Sequence, residues 1–185
     1  GNVGSKLLAQ IAKQQPYLLQ KLRIRLKICG MANSKQFLIN EDGIDLQQWE
    51  AGFKNALAGN MDTYTEAIKE KNLRNSVFAD VTASDTVALV YDRLLERSIA
   101  VVACTKVACS SGYDYYKKLK SLATEYNAPF LFETNVGAGL PVIGTLNDLV
   151  KSGDSIHKMQ DVLSGTLNFV FNNYDGKKSF ASVVK

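Results

Sequence analysis

The chain has 185 residues, 46% of them hydrophobic, enough to bury the core of one large domain or of one domain plus a fragment. Its formal charge of +4 is mild and its basic residues are scattered, which argues against nucleic-acid or membrane-surface partners. Cys29, Cys104 and Cys109 lack metal-ligand spacing and His157 is the one histidine, so a zinc site is disfavoured and reduced thiols in a cytoplasmic protein are expected. No apolar run is long enough to span a bilayer, and the N-terminus carries no signal-peptide pattern.

After Gly4, Leu7, Leu8 and Ile11 recur at helical spacing, with Pro16 expected to end or break the helix. Leu22, Ile24, Leu26 and Ile28 then alternate with Arg23, Arg25 and Lys27, the pattern of a strand with one wet face. "MDTYTEAIKEKN" reads as a helix and "SVFADVT" as a buried strand. Ser84 is a candidate cap for a helix with an apolar stripe of Val87, Val90, Tyr91, Leu94 and Leu95. "IAVVAC" is a strand, "YDYYKKLKSLATEY" a helix, "PFLFET" a strand, and "LPVIGTLNDLVKSG" a helix closed by Gly153. Strands alternating with helices imply parallel βαβ units, hence a doubly wound α/β architecture. From about Ile156 the rhythm changes to an expected strand up to Leu163, a turn at Ser164-Gly165-Thr166, a short helix, and the start of another in "SFASVVK".

Two glycine-rich segments point to chemistry. Gly1-Asn2-Val3-Gly4 matches the last four positions of G-x-G-x-x-G, the turn that seats a dinucleotide pyrophosphate on a helix N-terminus. In that pattern Gly1 permits close approach of the phosphates and Gly4 permits close helix–sheet packing. The preceding strand is then expected to lie before Gly1. "ETNVGAGLPV", from Glu133 to Val142, places small residues after a strand and Leu-Pro before a helix. It is either a tight turn or a place where something binds against bare backbone.

Cofactor choice has its own signal. NAD-selective sites usually carry an acid after the second strand, to hold the ribose 2′-hydroxyl. Here "MANSK" follows, with no acid before Glu41, and Asn33, Ser34 and Lys35 suit a 2′-phosphate. NADP is therefore favoured over NAD, against the alternative of a polar loop that touches no ligand. Thr82 and Lys106 each follow the carboxyl end of an expected parallel strand, where such sheets bind ligands. The plain alternatives are a helix-entry threonine and a solvated loop lysine.

"GNVGS", "DVTASD", "VVACTKVACSS", "ETNVGAGLPV" and "LSGTLNFVF" together resemble, in order and spacing, the homoserine dehydrogenases. The resemblance covers nearly the whole chain, and "ICGMANSK" and the Leu46–Trp49 stretch look most like the version fused behind an aspartate kinase. It implies a Rossmann-type NAD(P)-binding domain at residues 1–153 with its first strand missing. An α+β catalytic and dimerisation domain would begin at 154–185. It further implies reduction of L-aspartate 4-semialdehyde to L-homoserine by NAD(P)H, on the route from aspartate to threonine, methionine and isoleucine. The full-length protein would be a homodimer or homotetramer.

Carried over residue by residue, the resemblance puts Thr82 at the cofactor, beside the candidates read from the glycine turn (Gly1, Asn2, Val3, Gly4), from the acid-free loop (Asn33, Ser34, Lys35) and from the end of the next strand (Lys106). Lys106 would also assist catalysis, although Thr105-Lys106-Val107 stands where the family shows Asn-Lys-Lys. Thr166 resembles a substrate-holding position, with a helix N-cap as its alternative. Glu133 and the carbonyls of Val136, Ala138 and Leu140 correspond to a monovalent-cation site, usually for sodium; a hard cation wants oxygen ligands. Two other classes stay open: a different Rossmann dehydrogenase of a small aldehyde or keto acid, and a non-catalytic regulatory nucleotide-binding module.

In the family an acid and an acid–lysine pair orient the substrate and manage the proton, and both are expected downstream of Lys185. The 185-residue chain alone should therefore give no NADPH oxidation with aspartate semialdehyde. A measurable rate in a spectrophotometric assay would return catalysis to Lys106 and Thr166.

Overall fold

A computed structural model of the chain describes residues 1–162, 164–177 and 179–184. Two compact units divide between Phe132 and Glu133. The first begins with helix α1 (Asn2–Leu22), followed by strands β1 (Gly30–Ala32) and β2 (Gln36–Ile39) and helix α2 (Trp49–Lys54). Strand β3 (Leu57–Ala58) and helix α3 (Met61–Lys71) come next, then strand β4 (Val77–Asp80). A 3-10 turn at Val87–Val90 runs into α4 (Tyr91–Leu95), and β5 (Ala100–Ala103), α5 (Val107–Ser110), α6 (Tyr113–Glu125) and β6 (Phe130–Leu131) complete the unit.

The parallel sheet has the order β4-β5-β6, with Asp80 opposite Ala103 and Val102 opposite Leu131. Parallel neighbours need a crossover, and the α4 and α6 segments supply it. A separate sheet, β1-β2-β3, is antiparallel. The core lies where Val101 on β5 meets Tyr91, Leu94 and Leu95 on α4 and Leu119 on α6, all with no exposed surface. Each such side chain contributes roughly 1.5–3 kcal/mol of burial. Aromatic contacts run through this core from Phe37 to Tyr64, Phe78, Tyr91, Phe130 and Phe132, with ring centroids 5.0–6.5 Å apart.

Local chemistry explains the cleaner boundaries. Asn60 caps α3 by accepting from the Thr63 amide at 3.0 Å, while Thr63 Oγ1 accepts from the Asn60 amide at 2.9 Å. Asn72 ends the helix in the left-handed region, at φ 45°. The second unit holds a 3-10 turn at Glu133–Asn135 and helices α7 (Ile143–Lys151), α8 (Gly165–Asn173) and α9 (Phe180–Val184).

Several expected elements differ. Pro16 lies inside α1 and does not end it; the cost is the one N–H that proline cannot offer to the Ala12 carbonyl. Arg23 closes that helix instead, at φ 58°. The alternating stretch from Leu22 to Gly30 is not a strand of the parallel sheet. Its carbonyls bond to irregular partners: Leu26 to the Gln15 side chain at 2.9 Å, and Ile28 and Cys29 to the amides of Ile44 and Asn40, each at 2.8 Å. Alternation sets side-chain direction, but a ladder also needs a neighbouring strand.

Strand β4 is buried on one face only, since Val77 and Ala79 are exposed while Phe78 and Asp80 are buried. Ser84 does not cap the following helix; its hydroxyl pairs with that of Thr86 at 3.0 Å. Residues 154–162 form no strand, being exposed with no neighbouring strand to pair with among the described residues. Leu163, in that expected strand, and Lys185, at the end of "SFASVVK", lie outside the described residues.

Leu94→Ala should lower the unfolding free energy by about 2–5 kcal/mol, through lost burial and the cavity left behind. Leu89→Ala, one turn earlier and 64% exposed, should change it by no more than about 0.5 kcal/mol. Urea unfolding followed by circular dichroism reads both.

Candidate functional site

Parallel pairing brings the carboxyl ends of β4 and β5 side by side, where ligands of such sheets bind. The loop after β4 leaves from Asp80, whose carbonyl accepts from the Cys104 amide at 2.9 Å. Thr82 thus stands two residues beyond β4, and Lys106 three residues beyond β5. Thr82 Oγ1 accepts from the Ser84 amide at 3.2 Å, which makes a compact turn. Lys106 is exposed at the start of α5, and its carbonyl accepts from the amides of Cys109 and Ser110, the last two residues of that helix. Its ammonium has no hydrogen-bond partner among the described residues.

Helix α1 presents its N-terminus to the same region. A Cβ added at Gly4 would lie 3.4 Å from Val81 Cγ2, so the first turn of α1 packs against the residue before Thr82. No side chain among the described residues caps α1, and its first turn holds no acid. Its leading amides are therefore available to an anion, with the helix dipole favouring negative charge. An added Cβ at Gly1 would meet nothing within 4 Å.

Sequence reasoning missed the group that organises this corner. Asp80 is 1% exposed and Tyr91 fully buried. Asp80 Oδ1 accepts from the Thr82 amide at 2.8 Å, and Tyr91 Oη donates to Oδ2. Burial first, and then the bond to Asp80, raises the Tyr91 pKa and keeps its hydroxyl a donor. Tyr115 Oη donates to the Ala88 carbonyl at 2.6 Å, and burial pushes its pKa up to about 12. The "D-V-T" spacing carried a signal for the first bond, because aspartate commonly accepts from the amide two residues on. Tyr91 read only as part of an apolar stripe.

Asn33, Ser34 and Lys35 form the β1–β2 hairpin turn. Asn33 Oδ1 accepts from the Lys35 amide at 2.8 Å and the Gln36 amide at 3.0 Å, so that oxygen is spent on the turn. Ser34 and Lys35 are exposed.

In the second unit, Glu133 Oε1 accepts from the Ile143 amide at 2.9 Å and Oε2 from the Gly144 amide at 2.6 Å. The carboxylate caps α7 from ten residues upstream, a role with no local sequence signature. The Leu140 carbonyl accepts from Val142 at 3.0 Å, whereas those of Val136 and Ala138 accept nothing among the described residues. Positive φ at Gly137 (69°) and Ala138 (52°) curls this segment. The side-chain amide of Asn135 is buried, with neither Nδ2 nor Oδ1 paired among the described residues. Thr166 is exposed in the first turn of α8, but the cap is Ser164, whose Oγ accepts from the Leu167 amide at 3.2 Å. No group of three or more His, Cys, Asp or Glu side chains suited to a metal occurs among the described residues.

A family model described as "Homoserine dehydrogenase, NAD binding domain" matches residues 1–133, and one described as "Homoserine dehydrogenase" matches 141–185. The chain belongs to the homoserine dehydrogenase family. It is 40% identical, over 95% of its length, to a bifunctional aspartokinase/homoserine dehydrogenase of Buchnera aphidicola, and covers 21% of that protein. It is 31% identical over its whole length to a homoserine dehydrogenase of Schizosaccharomyces pombe, covering 51% of it. The chain thus spans between a fifth and about half of these relatives. A hyperthermophilic archaeal homoserine dehydrogenase in complex with NADPH shares the fold, with a TM-score of 0.79 at 23% identity over 100% of this chain and 56% of that one. The Rossmann-type α/β class expected from sequence therefore stands, as does a nicotinamide-cofactor domain.

Glu133→Ala should cost about 1–2 kcal/mol by uncapping α7. Faster hydrogen exchange at the Ile143 and Gly144 amides, read by mass spectrometry, checks that the loss is local.

Proposed function

We propose that this chain supplies the NADP(H)-binding domain and the start of the catalytic domain of an enzyme that reduces L-aspartate 4-semialdehyde to L-homoserine. The observation that carries the reading is the uncapped first turn of α1, packed at Gly4 against Val81 beside the Thr82 turn. The amides of Asn2, Val3 and Gly4 would hold the pyrophosphate, and Gly1 leaves the approach open. Thr82 would border the cofactor from the β4 loop. Lys106, exposed at the end of β5, would steady the nicotinamide end or the substrate carbonyl as charge builds on its oxygen. Lys35 and Ser34 would take the 2′-phosphate, with Asn33 holding their turn. The cofactor supplies the hydride; these residues bind and orient.

Thr166 would contact the amino-acid substrate, and Ser164 leaves it free of capping duty. The catalytic domain would open at residue 154, so that residues 133–153, which fall in the second compact unit, would close the cofactor domain. Further parts of the reading are a small-molecule substrate, a homodimer or homotetramer, a cytoplasmic location, and no nucleic-acid or membrane partner. No helix among the described residues is long and apolar enough to cross a membrane.

A sodium ion is proposed at the Glu133–Leu140 loop. The unpaired carbonyls of Val136 and Ala138 and the orphaned Asn135 amide support a ligand there. The fit is partial, because Glu133 and Leu140 already accept backbone hydrogen bonds and would share their remaining lone pairs. The chain should melt at a higher temperature in sodium than in a bulky organic-cation buffer, and Glu133→Ala should remove that difference. Equal midpoints for the unsubstituted chain in both buffers would leave a plain turn.

Fluorescence titration tests the cofactor assignment. NADPH should bind more tightly than NADH, and Lys35→Ala should cost NADPH about 1.5–3 kcal/mol while sparing NADH. Equal losses for both would take the hairpin out of the site.

A further inference from the structure

Asp80 pairs with β5 through its backbone, so the sheet makes no demand on its side chain. Yet this nearly fully buried carboxylate has both oxygens engaged by different elements: Tyr91 on α4 at Oδ2, and the Thr82 amide at Oδ1. A buried carboxylate is costly unless its partners are fixed, and here one partner is the turn itself. From Thr82 the order passes on to the Ser84 amide at 3.2 Å and to the Ser84–Thr86 hydroxyl pair at 3.0 Å. Val81, between Asp80 and Thr82, is the residue that meets the first turn of α1 at Gly4.

We propose that Asp80 and Tyr91 are a positioning pair for cofactor binding, an inference that rests on the cofactor reading above. Tyr91 aims the Asp80 carboxylate, and the carboxylate sets the 81–86 turn against the helix N-terminus that receives the pyrophosphate. Neither side chain touches the cofactor. The pair acts by fixing the loop before binding, so that less ordering is needed when the ligand arrives.

Tyr91→Phe removes only the hydroxyl and keeps the ring beside Phe78 and Phe130, at 6.4 and 6.0 Å. NADPH affinity is measured by fluorescence titration, and amide hydrogen exchange is measured without cofactor. Tyr91→Phe should weaken NADPH roughly tenfold and speed exchange over residues 81–86, while α6 keeps its protection. Asp80→Asn retains an acceptor for Thr82 and a partner for Tyr91, and should bind far better than Asp80→Ala. That comparison also decides the matter should Tyr91→Phe fail to fold.

Unchanged affinity in a folded Tyr91→Phe, or equal affinity in the two Asp80 variants, overturns the pair. So does exchange that rises throughout the first unit, which would mark general stabilisation. A chain with no NADPH affinity before any substitution overturns the cofactor reading and the pair with it; the other outcomes overturn the pair alone.

Discussion

Strand β5 is the constraint on which the candidate site depends. As the middle strand of a three-stranded parallel sheet it has partners on both edges, and Val101 and Ala103 face the core. Parallel pairing fixes direction as well as distance, so the chain must leave β4 and β5 at the same end. The Thr82 turn and the Lys106 loop become neighbours for that reason, although 24 positions separate them in the sequence. The helices that return the chain between these strands carry Tyr91, Leu94, Leu95 and Leu119, so the side chains that build the core also hold the loops in register.

The parts legible in the sequence were those governed by local periodicity. Helices at Met61–Lys71 and Tyr113–Glu125 and strands at Val77–Asp80 and Ala100–Ala103 follow from apolar spacing and turn residues. The failures share a cause. The Leu22–Gly30 alternation satisfies the side-chain requirement of a strand, but pairing depends on a neighbour that the pattern cannot name. Pro16 reads locally as a breaker because its cost is definite, yet a 21-residue helix tolerates one missing bond. The antiparallel β1-β2-β3 sheet, with strands of two to four residues, lay below the length at which alternation can be read.

The site was legible in its glycines and loop positions and illegible in its buried charges. Asp80 and Glu133 both spend their carboxylates on backbone amides, one across two residues and the other across ten or more. The first leaves a recognisable spacing; the second is visible only after folding. Both carboxylates serve as acceptors for backbone amides that no other group among the described residues satisfies, and Glu133 does so in addition to the cation role that the family resemblance implies. The side-chain amide of Asn135 is the counterexample, a buried donor and acceptor with nothing supplied from within the described residues.

The file of aromatic rings from Phe37 to Phe132 bears on how the first unit comes apart. Phe37 sits on β2 of the antiparallel sheet and Phe78 on β4 of the parallel one, with Tyr64 of α3 between them at 5.5 and 6.5 Å. Peeling the hairpin away would strip Tyr64 of one aromatic neighbour and leave the ring that packs against Phe78 less constrained. The two sheets share no hydrogen-bond ladder among the described residues, and the ring of Tyr64 is the aromatic link between them. Any coupling between the opening of the hairpin that carries Lys35 and that of the strand that leads to Thr82 therefore runs through that ring.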